Sequence, residues 1–221
     1  MTERALTEFR AAVRAALAAP LDGPLTARFV APCVTALVVH ADAGEELVAG
    51  LAEIIAALER VGVPRGRQYV LLAGDGIPGD AARRVNVLRD ALGVPVLVHD
   101  ASRAGFAAGR LPDGSALELD DELREAEAIV VLASIAPEHG GPWHAASLLC
   151  PGACTVPTRS AVATATSGDT GVAWGWVRAA EREAPIDLMV WWDASGIVQA
   201  ASGRVALATW ASSDAGAREI H

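Results

Sequence analysis

Apolar positions along this chain change period several times, and each change marks an element. Leu6, Phe9, Val13 and Leu17 recur at helical spacing with Arg10 and Arg14 on the opposite face, so the spacing predicts an amphipathic helix from Leu6 to Leu17 that stops near Pro20. Val34 to His40 (VTALVVH) is a short β-rich apolar run, and Glu45 to Val61 returns to helical spacing before Gly62 and Pro64. The alternation then repeats. A strand is expected at Gln68–Ala73, a helix from about Asp80 to Leu92, and a strand at Val94–His99. An irregular glycine-containing stretch follows, then a short acidic helix around Asp120–Ala126 and a strand at Ala128–Ser134. Past residue 140 the pattern predicts a helix near Ala173–Arg182 and a hairpin over Asp187–Val198 that turns at Asp193–Gly196.

Strands that alternate with helices predict a parallel sheet, and near-continuous apolar strands predict one buried on both faces. The expected fold is therefore α/β, a Rossmann-like parallel sheet with helices on both faces. Neither a repeat nor a linker rich in Pro, Gly and Ser divides the chain, so residues 1–221 are expected to form a single domain. In such sheets ligands bind beyond the carboxyl ends of the strands. Those positions are His40–Gly44, Gly74–Gly79, His99–Asp100 and Ala136–Gly141, and four of the five histidines fall in or near them.

Composition narrows the chemistry. The formal charge is −9, from 27 acidic and 18 basic residues, and every one of those basic residues is Arg. Without a lysine amine the chain can form no Schiff base, carries no P-loop lysine and has no lysine general base. An acidic surface repels phosphate backbones, which argues against nucleic acid as a partner. No apolar run is long enough to span a bilayer, and Met1 to Glu8 lacks the apolar core of a signal peptide. Cys33, Cys150 and Cys154 form an odd set without CxxC spacing, so the expectation is buried reduced thiols, no metal site and a cytoplasmic protein.

Two segments carry candidate chemistry. Gly74-Asp75-Gly76-Ile77-Pro78-Gly79 matches GxGxxG between a predicted strand and a predicted helix. Gly74, Gly76 and Gly79 would cradle phosphate, while Asp100, at the end of the next strand, would hold a ribose hydroxyl. Pro78 removes one N–H from that cradle. The second segment, Ile135 to His144, gathers His139, His144, Glu138 and Trp143 around a diglycine. An imidazole at a strand end suits proton transfer, so His139 is the candidate acid–base residue, with Asp75 as its partner if their strands are neighbours. His99 and His144 are the candidate substrate contacts. The serines lack a nucleophile-elbow motif, and the pairs Trp174/Trp176 and Trp191/Trp192 read as core.

Several stretches together resemble one family. Ala11–Leu25, Leu37–Ala43, Val98–Asp100, Ile135–His139 with Pro151-Gly152 twelve residues beyond, and Ile186–Gly203 resemble, in order, the N-terminal domain of nickel-dependent lactate racemases. The resemblance implies a Rossmann-like domain that holds a nickel-pincer nucleotide and racemises a 2-hydroxy acid by removing and returning a hydride. It also implies two histidines acting as acid and base at the hydroxyl, a lysine that tethers the cofactor as a thioamide, and a further histidine on nickel. His139 matches one of these. The family's glycine-threonine-histidine reads Gly74-Asp75-Gly76 here, and its aspartate-x-threonine-arginine loop reads His40-Ala41-Asp42-Ala43-Gly44. Ser147 stands where the lysine is expected, and Ala153 to Ala173 holds no histidine. The family's closing domain is expected to be absent, since the sequence stops at His221.

Three functions follow as expectations. The chain is a divergent member of that family which binds a small 2-hydroxy acid or nucleotide with no covalent cofactor. Alternatively it is a non-catalytic subunit pairing with a copy of itself or with another chain. The third is a dinucleotide-binding oxidoreductase that uses Gly74–Gly79.

Overall fold

A computed structural model describes residues 2–29, 32–41, 44–74, 81–135, 145–166, 170–193 and 195–211. The chain opens with α1 (Glu3–Ala18), whose first turn is capped by the Thr2 hydroxyl accepting from the Ala5 amide, and whose face of Phe9, Val13 and Leu17 is buried. Next come β1 (Thr35–His40), α2 (Glu45–Arg60), β2 (Gln68–Ala73), α3 (Ala81–Leu92) and β3 (Val96–Val98). The hairpin strands β4 (Gly105–Arg110) and β5 (Ala116–Asp120) follow, then β6 (Ala128–Ile135), α4 (Val156–Thr166) and α5 (Thr170–Glu183). The chain closes with β7 (Leu188–Asp193), β8 (Val198–Ala201) and α6 (Gly203–Ala211).

Six strands form one sheet in the order β3-β2-β1-β6-β7-β8. All neighbours are parallel except β7 and β8, which pair antiparallel. The expected α/β architecture is present. Because side chains alternate across a strand, each of the central strands feeds two cores. Leu37, Val39, Val70, Leu72, Val130, Leu132, Leu188 and Val190 face α1, α2 and α3, while Val38, Leu71, Val131 and Met189 face β4–β5, α4, α5 and α6. The four tryptophans of the Trp174/Trp176 and Trp191/Trp192 pairs are buried in these cores, and Trp192 packs edge-on against Phe9 with ring centroids 5.0 Å apart.

The main departure from expectation is the stretch read as irregular, which contains the antiparallel β4–β5 ribbon. Its first strand, GFAAGR, has few β-forming side chains, because its glycines serve close packing. A Cβ at Gly105 would lie 2.1 Å from the Leu119 carbonyl oxygen. The predicted acidic helix shrinks to a single 3-10 turn, Asp121–Leu123. α4 and α6 were not anticipated, since neither shows a strong apolar stripe. Among the described residues, no helix is long and apolar enough to cross a membrane.

Leu132, fully buried on β6, meets α2 so closely that its Cδ2 lies 3.1 Å from the position of a Cβ at Gly50. Leu132→Ala leaves a cavity there and is expected to cost about 2–5 kcal/mol. At the usual conversion for a chain of this size, the melting temperature falls by roughly 10 °C. The same truncation at Val87, which is 59 % exposed, is expected to change it little. Thermal unfolding followed by circular dichroism checks both.

Candidate functional site

From β1 the chain builds outward to β2 and β3, then crosses back to β6 and builds the other way. The order therefore reverses between β1 and β6. β1 leads to α2 on one face of the sheet and the Ala145–Cys154 turn that comes after β6 packs on the other, and such a reversal is the usual ligand position in open α/β sheets. β1 ends on exposed His40 and β6 on Ile135. The segment that follows β6, residues 136–144, carries His139 and His144 and lies outside the described residues. So do Asp75, Gly76 and Gly79.

His40 is the residue that sequence reasoning passed over. It was visible as the last residue of the first strand, and in a sheet of this order the first strand borders the reversal. Its ring packs against the end of β2. Gly74, at φ +123°, has no Cβ, and one built there would lie 3.0 Å from His40 Nε2. The glycine thus meets two demands at once, a backbone conformation that L side chains avoid and a close approach to an imidazole. Beside the carboxyl end of β1 lies a cavity of about 360 Å³, with Ala41, Val48 and Leu88 among its walls and Arg83 and Arg84 from α3. Arg84 also donates to the Ala41 carbonyl.

The topology bears on the acid–base pair. β2, which precedes Asp75, and β6, which precedes His139, are separated by β1. At about 4.8 Å between adjacent strands, their ends stand roughly 10 Å apart. The condition that the two strands be neighbours is not met, and the imidazole of His40 belongs to the strand between them. Gly74 likewise follows β2, whereas the dinucleotide fingerprint follows the first strand of a sheet with this order.

His99 and Asp100 directly follow the edge strand β3, away from the reversal between β1 and β6. The His99 side chain is 2 % exposed. Its Nδ1 meets the Asp120 carboxylate, and its Nε2 lies 2.9 Å from the Cys154 carbonyl oxygen. Both partners are oxygen atoms of the fold, so the ring is held between the Asp120 carboxylate and the Cys154 carbonyl. Neither nitrogen faces a small molecule. Asp100 accepts from the Ser102 amide at 3.0 Å and the Ser102 hydroxyl at 2.6 Å, bonds that hold its carboxyl below the usual carboxylate range. The adjoining cleft, lined also by Asp121 and Glu122, encloses about 10 Å³, too little for a ribose.

Ser147 lies in the turn before Pro151, where its carbonyl accepts from the Gly152 amide at 2.8 Å. Cys33, Cys150 and Cys154 are buried free thiols, and burial pushes the Cys154 thiol up. Among the described residues, no three His, Cys, Asp or Glu side chains are grouped to hold a metal ion.

With this geometry in hand, comparison with solved structures is informative. The fold is similar to that of a lactate racemase. One matching structure, the lactate racemase apoprotein from Thermoanaerobacterium thermosaccharolyticum, superimposes with a TM-score of 0.68 at 16 % sequence identity. The match covers 91 % of this chain and 54 % of that one, so this chain spans about half the length of its structural neighbour. No family model matches the sequence, and no curated protein matches it. The likeness is one of fold.

The His99–Asp120 pair yields a test of the tie between β3, β5 and the Cys154 turn. Burial works to raise the Asp120 carboxyl, but hydrogen bonds from His99 and from the Glu122 amide outweigh it, and the net shift is downward. A carboxyl held below its unfolded value of about 3.9 contributes stability that is complete above that pH and is lost as pH falls through the folded value. Asp120→Asn is therefore expected to lower the melting temperature at pH 7 and to flatten its dependence on pH below about 4. His99→Ala removes one donor to this carboxylate while the Glu122 amide keeps the other, and is expected to cost about 1–3 kcal/mol at neutral pH. Urea titrations at pH 7 and pH 3 measure both.

Proposed function

We propose that this chain is a divergent lactate-racemase-like domain that binds a small 2-hydroxy acid in the crevice between β1 and β6, without a covalently tethered nickel cofactor. The observation that carries the proposal is the reversal of strand order beside His40. An imidazole there can exchange hydrogen bonds with a hydroxyl or a carboxylate, and the segment after β6 adds His139 and His144 in sequence. The neighbouring cavity between α2 and α3 has apolar walls and carries two arginines against the single carboxylate of Glu45, a lining that suits a compact anion with an apolar end. In this assignment His139 remains the candidate acid–base residue, and His40 takes the place first given to Asp75 as its companion.

The nickel-pincer group does not fit the residues present. A thioamide tether needs an amine, none of the 221 residues is a lysine, and Ser147 offers a hydroxyl at the position that the family resemblance assigns to the tether. Guanidinium cannot substitute, because its nitrogens are delocalised and permanently protonated. Dinucleotide binding at Gly74–Gly79 has weaker support, since that loop follows β2 and Asp100 is occupied by Ser102.

Isothermal titration with D-lactate, L-lactate and NAD tests the proposal. The expected outcome is saturable lactate binding at about millimolar or better, no heat with NAD, and an affinity about tenfold weaker in His40→Ala. Binding of NAD without lactate, or lactate binding indifferent to His40→Ala, would contradict it.

A further inference from the structure

We infer that Arg159 is a positioning residue for this site, acting on His40 through Gly74. The inference rests on the crevice beside His40 being the ligand site. Arg159 sits in the first turn of α4, where its amide donates to the Thr155 carbonyl at 3.0 Å. Among the described residues its guanidinium reaches three backbone carbonyls. Nε donates to Cys154 at 3.0 Å, and Nη2 donates to Gly74 at 3.0 Å and to Gly152 at 2.5 Å. The Gly74 amide in turn donates to the Gly152 carbonyl at 3.1 Å. Both polar backbone atoms of Gly74 are thus tied to a single cluster, made of Arg159 and the Cys150–Cys154 turn.

That matters because Gly74 is the surface against which the His40 ring rests. With the ring 3.0 Å from where a Cβ would stand, a displacement of Gly74 by a few tenths of an ångström changes the space open to the imidazole. Register places His40 opposite Ala73, so strand pairing fixes the backbone of His40 and leaves the ring to be set by what borders it. Gly74 is also the first residue after β2 and directly precedes Asp75, so Arg159 holds the point where the chain leaves that strand. Arginine suits the task because its donors lie in one fixed plane and can bridge several acceptors, whereas an ammonium is a point charge on a flexible stem. Cys154 links the same cluster to the fold's edge, since its carbonyl also meets His99 Nε2.

Arg159→Lys keeps the charge and removes the fork, and Arg159→Ala removes both. Two readouts apply. The imidazole Cε1–H signal of His40, assigned by its disappearance in His40→Gln, is expected to move in Arg159→Lys, and amide exchange over residues 68–74 is expected to quicken. Lactate affinity is expected to weaken about tenfold in both variants, with added methylguanidinium restoring it in Arg159→Ala. If Arg159→Ala does not fold, Arg159→Lys carries the test. An unmoved His40 signal in Arg159→Lys overturns the inference, whatever happens to affinity. A moved His40 signal in a protein whose wild type binds no lactate sustains the positioning role and defeats the ligand assignment. Wild-type lactate binding that Arg159→Lys retains, with His40 unmoved, does the reverse.

Discussion

A parallel sheet covered on both faces leaves little room for polar side chains along the middle of its strands, and this constraint organises the molecule. β1 is buried from Thr35 to Val39 and first meets solvent at His40, while β7 is buried from Leu188 to Trp192 and emerges at Asp193. Leaving an unpaired polar group in such an interior costs several kcal/mol. Chemistry is consequently displaced to strand ends, and strand order decides which ends meet. The reversal between β1 and β6 selects His40 and the segment after Ile135 from all the polar residues at the carboxyl edge.

A second layer of organisation ties the sheet's edge to its centre. Asp120, His99, the Cys154 carbonyl, Arg159 and Gly74 form an unbroken run of hydrogen bonds from β5 to the end of β2. All of these links except that between Arg159 and Cys154 join segments far apart in sequence. The β4–β5 ribbon, inserted between β3 and β6, therefore braces the turn at Cys150–Cys154 against the sheet. This assigns fold-level roles to residues whose types suggest catalysis, above all the buried imidazole of His99.

Much of the fold was legible because period and punctuation coincide in the central strands and the first three helices. Gln68–Ala73 could be read to the residue, since an apolar run of that length between Pro64 and the Gly74 turn admits little else. The β4 strand was not legible, as its alanines and glycines are shaped by close approach to β5 rather than by intrinsic preference. The site was legible only by strand end. Linear order says which residues follow strands but not that β1 lies between β2 and β6, and that fact separates the ends leading to Asp75 and His139. His99 misled for a similar reason, because its Asp120 partner belongs to the ribbon that went unrecognised. The lack of lysine, by contrast, needed no structure, since it excludes a lysine tether in any arrangement of these 221 residues.

The central claim, that the ligand site is the crevice where strand order reverses, is tested most directly by mapping amide shifts in a ¹H–¹⁵N spectrum while lactate is titrated in. The account predicts saturable shifts confined to the carboxyl edge, at residues 40–44, 74–80 and 135–144. Shifts centred at the opposite edge, around the cavity lined by Asp22, Arg28 and Ser202, would contradict it.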